Sequence, residues 1–351
     1  MSSPRLRVAL LAPFAAPSVR GNAITVERIA RGLRGRDAQL DIWEVATAPA
    51  RTIEAALDQA PPHVVHAFHA WRAGPLGLRL ARRVEAPLVV TLTGTDANHD
   101  LFDPERAAAV RRVLEGAAAV TAFHASILDR VAAVLPDVRS RMRVVAQAAA
   151  VDGAEPFDLE ARWPMPADRV LVVFPAGIRP VKAPLAPLEA FDRVVAADPR
   201  VRLLYVGPVL DEAEGERLAR ALAGRPWARH IGAVPHAQMP ALLARADVVL
   251  NCSVSEGGMA NSILEALALG RAVLASDIPG NRSLVEDGVT GLLYRDAASL
   301  EAQMRRLAAD PALRARLGAA GRARVERDYP ASAEIDGYLA VYRDVVPAPV
   351  A

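Results

Sequence analysis

Short apolar runs alternate with amphipathic segments along almost the whole chain, and this alternation strongly limits the possible folds. Continuous apolar strands between helices are typical of parallel sheets, because helices cover both faces of such sheets. The sequence therefore predicts doubly wound α/β layers with right-handed crossovers. The predicted strands are Leu6–Ala12, Leu40–Val45, Val64–Phe68, Leu88–Leu92, Ala118–Phe123, Arg143–Gln147, Val170–Phe174, Arg202–Val206, Asp247–Asn251, Ala272–Ser276 and Gly291–Tyr294. The predicted helices include Ala23–Leu33, Pro104–Leu114, Leu185–Ala196 and Glu212–Leu222.

A proline-rich segment without clear periodicity, residues 148–168, interrupts this series and predicts a linker. The expected architecture is two Rossmann-like domains, residues 1–160 and 165–330, that face each other across a cleft. Ligands of such sheets bind at the carboxyl ends of the strands. A last helical pattern, residues 332–345, is expected to pack back on the N-terminal domain.

The composition argues against several classes of protein. Of the 351 residues, 52% are hydrophobic and 23% are charged, which is typical of a folded globular protein. The net charge is only +2, so bulk electrostatics give no support for a nucleic-acid partner. No apolar run approaches the roughly 18 residues of a membrane span. Cys252 is the only cysteine, so no intrachain disulfide can form, and a cytoplasmic location is expected. The oligomeric state stays open.

Basic side chains in the loop Gly177–Lys182 directly follow a predicted strand. Arg179 offers a forked set of donors and Lys182 a compact charge, so the loop can neutralise a diphosphate without a metal. Lys182 is also the only lysine among 42 basic residues. The alternative is a pair of solvated surface cations.

Strand Asp247–Asn251 leads into a glycine pair and then a helix. Gly257 and Gly258 allow close approach of a ligand to the backbone, and the helix N-terminus favours phosphate oxygens. Glu256 precedes this turn and can accept hydrogen bonds from sugar hydroxyls, while Glu265, about two turns away, can reach a ribose. The alternative is a capped surface helix with incidental acids.

Several longer segments carry a specific family resemblance. In the C-terminal half these are GIRPVKAPLAPLEAF, LLYVGP, HIGAVP and ARADVVLNCSVSEGGMANSILEALALGRAVLASDIPGNRSLVEDGVTGLLY. They resemble the family 4 retaining glycosyltransferases of the GT-B fold. In the N-terminal half, GNAITVERIARGL, VVHAFHAWRAG and LTGTDANHD resemble the subgroup of glycosyltransferase 1 domain-containing proteins.

The resemblance implies roles for individual residues of the C-terminal half. Arg179 and Lys182 would bind the donor diphosphate, Glu256 the transferred sugar, Glu265 the ribose, and Val234 would lie near the base. Glu256, Lys182 and Arg179 are the expected catalytic residues. The implied donor-binding set is Gly177, Arg179, Lys182, Val234, Glu256, Gly257, Gly258, Met259, Ala260 and Glu265. Glu256 and Glu265 stand nine positions apart, one more than is usual in the family, so the turn must absorb an extra residue.

In the N-terminal half the resemblance implies contacts on the acceptor side. Gly21 and Asn22 occupy the first loop, which would face the donor phosphate and the acceptor. Thr93 stands where many members have a sugar-contacting histidine, and Thr93, Thr95 or Asp96 would take its place. The expected sugar and acceptor side is His69, Thr93, Gly94, Thr95, Asp96 and His124. The acceptor loops are expected at residues 17–22, 70–77 and 94–103.

The other histidines are expected to play structural roles. Of His66 and His69, one is expected to pack in the domain and one to face the cleft. A lone pair of this spacing is a weak metal signal. The surface or capping histidines are expected to be His63, His99, His230 and His236.

Together these features predict a retaining hexosyltransferase that uses a nucleoside-diphosphate sugar, preferably a UDP-sugar, with an unidentified acceptor and no metal or cofactor. Three alternatives stay open. They are a related enzyme with a sulfur or selenium acceptor, a sugar-nucleotide epimerase, and a non-enzymatic nucleotide-sugar sensor.

Overall fold

A computed structural model describes most of the chain, which divides into two compact units. Unit 1 is Met1–Ala148 with Pro330–Ala351, and unit 2 is Ala149–Tyr329. The described residues are 6–15, 21–34, 36, 38–149, 151 and 154–346. The part of the expected acceptor loop at residues 17–20, and residues 150, 152 and 153 of the expected linker, lie outside them.

Unit 1 contains a six-stranded parallel sheet in the order β2-β1-β3-β4-β5-β6. Its strands are β1 Leu6–Ala12, β2 Ala38–Glu44, β3 Val64–Phe68, β4 Leu88–Leu92, β5 Ala119–Ala122 and β6 Met142–Val144. Its first six helices are α1 Gly21–Leu33, α2 Ala50–Gln59, α3 Gly74–Arg83, α4 Thr95–Asn98, α5 Ala107–Gly116 and α6 Ala125–Ala132. Short 3₁₀ helices occupy Asp100–Phe102 and Pro136–Arg141. Every residue of β3 and β4 is buried, as expected for central strands covered on both faces.

Unit 2 contains a second six-stranded parallel sheet in the order β12-β11-β10-β7-β8-β9. Its strands are β7 Val170–Pro175, β8 Val201–Val206, β9 Ala228–His230, β10 Val248–Asn251, β11 Ala272–Ser276 and β12 Leu292–Tyr294. Its helices are α7 Leu159–Arg162, α8 Leu188–Ala197, α9 Glu212–Leu222, α10 Met239–Leu243, α11 Asn261–Ala268, α12 Pro279–Arg282, α13 Ala297–Ala309 and α14 Pro311–Asp328. Short 3₁₀ helices occupy Pro180–Lys182 and His236–Gln238. The predicted α/β class, with two parallel doubly wound sheets, is confirmed.

The last helix, α15, covers Ala331–Val345 and packs on unit 1. Its Ile335 side chain lies so close to Gly32 of α1 that an added Cβ there would be only 2.4 Å away. Glu334 is buried and pairs with Arg28 of α1 at 2.7 Å. The helix is therefore held to unit 1 by both apolar packing and a largely buried ion pair.

Candidate functional site

The carboxylate of Glu256 is the centre of a polar cluster in unit 2. Its Oε1 accepts hydrogen bonds from Lys182 Nζ at 2.5 Å, Ser253 Oγ at 2.5 Å and Asn251 Nδ2 at 3.2 Å. Both charged side chains of the Lys182–Glu256 pair are largely buried. Three donors therefore converge on one oxygen, which fixes the direction of the carboxylate.

These contacts keep Glu256 ionised. Burial alone would raise the pKa of Glu256, because a charge is costly away from water. The positive charge of Lys182 and the hydrogen bonds from Lys182, Ser253 and Asn251 outweigh that cost, so the net pKa lies below its ordinary value. At neutral pH the group is a carboxylate, which can accept hydrogen bonds from hydroxyl groups.

Sheet topology explains why Lys182 and Glu256 meet. Strands β7 and β10 are neighbours, and the loops that carry the two residues leave from the carboxyl ends of these strands. Val254 N donates to Val181 O at 3.0 Å, which ties the two loops together. Ala183 ends the 3₁₀ helix in a left-handed conformation, with φ of 45°, and so directs the chain away after Lys182.

Polar residues behind Glu256 support its loop. Ser253 N donates to Asn251 Oδ1 at 3.0 Å, and Asn281 Nδ2 donates to the same oxygen at 3.2 Å. Gly280 lies against Glu256, since a Cβ added there would be only 2.5 Å from Glu256 Cβ. Sequence reasoning missed this support, because its members come from two separate strand ends and no local spacing links them.

Cys252 lies between two of these polar residues but is not available as a nucleophile. Its side chain is buried, and burial raises the pKa of the thiol to about 12. The thiol is therefore protonated at neutral pH, and it packs as part of the unit 2 core.

The glycine pair after Glu256 forms the turn that leads into α11. Gly258 has a φ of 109°, a conformation that favours glycine, and its carbonyl accepts from Ser283 Oγ at 2.5 Å. Met259 and Ala260 are buried directly before the helix begins. The whole Glu256–Ala260 stretch precedes α11, which runs as a regular helix from Asn261.

Glu265 lies in α11, is buried, and accepts a hydrogen bond from His236. The distance from His236 Nε2 to Glu265 Oε1 is 2.9 Å. The expectation that His236 serves only the surface or a cap is therefore wrong. Its contact is with a residue 29 positions away, which no local pattern reveals. Val234, expected near the base, is buried in the same loop two residues before His236.

Arg179 and Gly177 occupy the loop after β7, as the sequence suggested. Arg179 is exposed and has extended backbone geometry immediately before the 3₁₀ helix that carries Lys182. Gly177 packs against Leu210, and a Cβ at this position would lie 2.5 Å from a Leu210 methyl carbon. The loop thus carries one exposed cation, Arg179, and one largely buried cation, Lys182.

In unit 1 the Thr93–Asp96 loop is organised by one buried carboxylate. Asp96 accepts from the backbone N–H groups of Ala70, Thr93, Gly94 and Ala97, at 2.8 to 3.1 Å for the shortest contact of each. The carboxylate therefore holds the loop together, and Gly94 adopts a φ of 121° within it.

Side chains at neighbouring strand ends adjoin this loop. Gly21 and Asn22 begin α1, and Asn22 Nδ2 lies 3.4 Å from Thr93 Oγ1. Thr95 is exposed at the start of α4. His124 caps α6, accepting from Ser126 N at 3.2 Å.

His66 and His69 have different structural environments, although both are buried. His66 bonds Tyr342 and Thr91 at 2.8 and 2.7 Å, and burial lowers the pKa of His66 to about 3, so it is a neutral packing residue. His69 follows the strand in a left-handed conformation, with φ of 89°. Its Nδ1 accepts from Trp71 N and Arg72 N, both at 3.2 Å, and so braces the turn after β3.

Within residues 6–346, apart from the short undescribed stretches, no group of three or more His, Cys, Asp or Glu side chains is placed to hold a metal. Across the same described part of the chain, no helix has the length and apolarity that a membrane crossing requires.

Two doubly wound α/β units, one with a cationic loop beside an ionised glutamate, define the class of GT-B glycosyltransferases. Residues 4–148 match the family described as glycosyl transferase 4-like domain, and residues 169–310 match glycosyl transferases group 1. The chain belongs to this glycosyltransferase family and is an enzyme of that kind.

Individual relatives cover most of the chain. It is 27% identical over 324 residues to glycosyltransferase 1 domain-containing protein 1 of Xenopus tropicalis, covering 91% of this chain and 92% of the relative. It is 31% identical over 340 residues to a D-inositol 3-phosphate glycosyltransferase of Frankia alni, covering 89% and 82%. The structure of Anabaena HepE in complex with UDP-glucose matches with a TM-score of 0.81 at 16% identity, covering 97% and 100%, a likeness of fold.

Proposed function

We propose that this chain is a retaining glycosyltransferase that moves a sugar from a nucleoside-diphosphate sugar to an acceptor, without a metal or resident cofactor. A UDP-sugar is the favoured donor. Unit 2 supplies the donor site and unit 1 the acceptor side. The observation that carries the proposal is the 2.5 Å contact between Lys182 Nζ and Glu256 Oε1 at adjoining strand ends.

Charge neutralisation of the leaving diphosphate is the proposed source of catalysis. Arg179 provides a planar fork of donors and Lys182 a compact charge on the same loop. The N-terminus of α11 follows the glycine turn and adds a positive dipole end. Preorganised donors aimed at developing negative charge are commonly the largest single contribution to catalysis.

Glu256 is proposed to hold the hydroxyl groups of the transferred sugar. Its ionised carboxylate is suited to accept from them, and Ser253 and Asn251 keep it oriented before the donor arrives. An ammonium group has three N–H donors. Lys182 can therefore keep its bond to Glu256 while it turns another N–H toward the diphosphate.

Retention of anomeric configuration is proposed from the family resemblance, with transfer on the face from which the diphosphate leaves. In this scheme the leaving phosphate takes the acceptor proton, so no protein nucleophile is required. The UDP preference is supported by the structural neighbour that was solved with UDP-glucose. Glu265, steadied by His236, is proposed to bind the ribose.

The proposal is tested with Glu256→Ala, Glu256→Gln and Lys182→Ala, assayed for nucleotide release from a panel of nucleotide sugars. Each variant should lose roughly 100-fold or more in kcat/KM, as is typical when a preorganised electrostatic contact is removed. The control is Arg220→Ala, because Arg220 forms an exposed ion pair with Glu216 on α9. Full activity of the Glu256 and Lys182 variants would refute the assignment.

Two further measurements separate the finer parts of the proposal. Proton NMR of the first product anomer should show retained configuration, and an inverted product would overturn that part alone. Activity should persist in excess EDTA, and loss that is restored by a divalent cation would overturn metal independence.

A further inference from the structure

Unit 1 carries three pairs of an arginine and an aromatic ring in the connections that follow neighbouring strands. We name this set the arginine–aromatic belt, and its members are Phe14, Trp71, Arg72, Phe102, Arg106 and Arg130. In each contact a guanidinium lies over a ring, at 5.6 Å for Arg72 and Phe14, 5.9 Å for Arg106 and Trp71, and 4.9 Å for Arg130 and Phe102. These are cation–π distances.

The belt follows the carboxyl edge of the sheet. Its members lie in the connections after β1, β3 and β4 and in α6, the helix after β5. Those four strands are consecutive neighbours in the sheet order. Connections that leave parallel strands at their carboxyl ends share one edge, which is where ligands of such sheets bind.

The arginines of the belt differ in how their charge is compensated. Arg106 pairs with the buried carboxylate of Asp100 at 2.7 Å, and this hydrogen bond and charge raise the pKa of Arg106. Arg72 and Arg130 form no ion pair with any residue in the part of the chain that the structure describes. The belt is thus anchored by a carboxylate in the middle and presents two exposed, uncompensated guanidinium groups.

Arg72 is the better placed of the two. Its backbone N–H donates to His69 Nδ1, and the adjacent Ala70 N–H donates to Asp96 of the loop expected on the sugar and acceptor side. Its side chain is positioned over Phe14. A guanidinium held in this way loses less side-chain freedom when it binds a ligand than one on an unbraced loop.

We propose that the arginine–aromatic belt binds an acceptor that bears a phosphate or carboxylate group, with Arg72 as the principal contact. This inference rests on the proposed function, since it names the class of acceptor for the same reaction. The planar fork of arginine matches both anions bidentately. The partly exposed rings of Phe14 and Trp71 beside it offer apolar area against which the body of a sugar can pack.

The test is saturation-transfer-difference NMR, which needs no turnover. The protein is saturated with UDP, and the ligands are glucose, glucose 6-phosphate and glucuronate. At least one of the two anionic sugars should give a several-fold stronger saturation-transfer signal than glucose. The sugar with the stronger signal identifies the preferred anion. Equal signals from all three ligands would overturn the proposal.

Variants assign the effect to the belt. Arg72→Ala should reduce the anionic signal to that of glucose, and Arg72→Lys should retain part of it because a point charge replaces a fork. The matched control is Arg79→Ala, which removes an exposed arginine paired with Glu54 elsewhere in unit 1. Undiminished binding by Arg72→Ala would refute the assignment.

Failure here and failure of the donor-site proposal give different results. UDP-glucose binding is followed separately by thermal shift, and it should be unchanged in Arg72→Ala. If Lys182→Ala loses the thermal shift caused by UDP-glucose but still binds the anionic sugars, the belt binds them independently of the donor site.

Discussion

Disruption of the Lys182–Glu256 pair should destabilise unit 2 more than disruption of an ion pair on an exposed surface would. The side chains are 16% and 9% exposed, so removal of one partner leaves the other charge without compensation in a largely buried place. Breaking such a pair costs about 3–5 kcal/mol in buried sites, and the residual exposure favours the lower end, about 3 kcal/mol. Lys182→Met and Glu256→Gln should each lose stability, and the double variant should recover much of the loss.

The measurement is thermal unfolding of the four proteins of this double-mutant cycle without nucleotide. A loss of 1 kcal/mol lowers the Tm of a domain of this size by about 2–4 °C. Each single variant should therefore unfold roughly 6–12 °C earlier than the wild type. Single variants within a degree of the wild type, or a double variant that simply sums the two losses, would refute the coupling.

The same cycle has a defined dependence on pH. In the wild type the pKa of Glu256 is lowered, so its stabilising contribution is present above the ordinary value of 4.5 and is lost as pH falls through the lowered folded value. In Lys182→Met the charge and hydrogen bond of Lys182 are gone, and only the hydrogen bonds from Ser253 and Asn251 oppose burial, so the pKa of Glu256 is higher than in the wild type. The penalty of that variant should then be full at neutral pH and shrink as pH falls through the variant's pKa toward the lower wild-type value. A penalty independent of pH would contradict the electrostatic explanation.

Two further substitutions test the positioning of the glutamates. Gly280→Ala places a methyl group 2.5 Å from Glu256 Cβ, so it should cost about 1–3 kcal/mol by overpacking and lower kcat, whereas Gly224→Ala, with open space around it, should do neither in the same unfolding and turnover assays. His236→Ala removes the 2.9 Å hydrogen bond to Glu265, and a loss of about 1.5 kcal/mol should raise KM for the donor roughly tenfold with kcat nearly unchanged. An unchanged KM would show that His236 does not position the ribose contact.

Strand positions followed from the sequence where both faces of a strand are buried. The apolar runs at Val64–Phe68 and Leu88–Leu92 are strands with those bounds, because burial on two faces leaves a continuous apolar signal. The edge strands behave differently. β9 is a three-residue strand with polar Arg229 and His230, and it escaped prediction for lack of an apolar run. β6 covers Met142–Val144 instead of the predicted Arg143–Gln147, and its last residue is exposed although Val145 and Gln147 beyond it are buried.

Only those parts of the candidate site whose residues share one loop or one helix could be predicted from the sequence. The cationic loop Gly177–Lys182 and the turn at Gly257 and Gly258 are each a local motif that the sequence shows directly. The contact of His236 with Glu265, and the support of Asn251 by Asn281, bring together separate strand ends, which only the sheet order determines. His236 could have drawn attention through its place two residues after Val234, but nothing along the chain linked it to Glu265.

The single lysine of the chain now has a physical reason. Glu256 Oε1 already accepts from Ser253 and Asn251, so the third donor has to approach one crowded oxygen. A compact ammonium can do so end-on, whereas a guanidinium prefers to span both oxygens of a carboxylate in its plane. An arginine at position 182 would therefore compete with the two neutral donors and turn the carboxylate away from the orientation they set. The only lysine among the 42 basic residues therefore stands where a compact cation suits the crowded oxygen of Glu256.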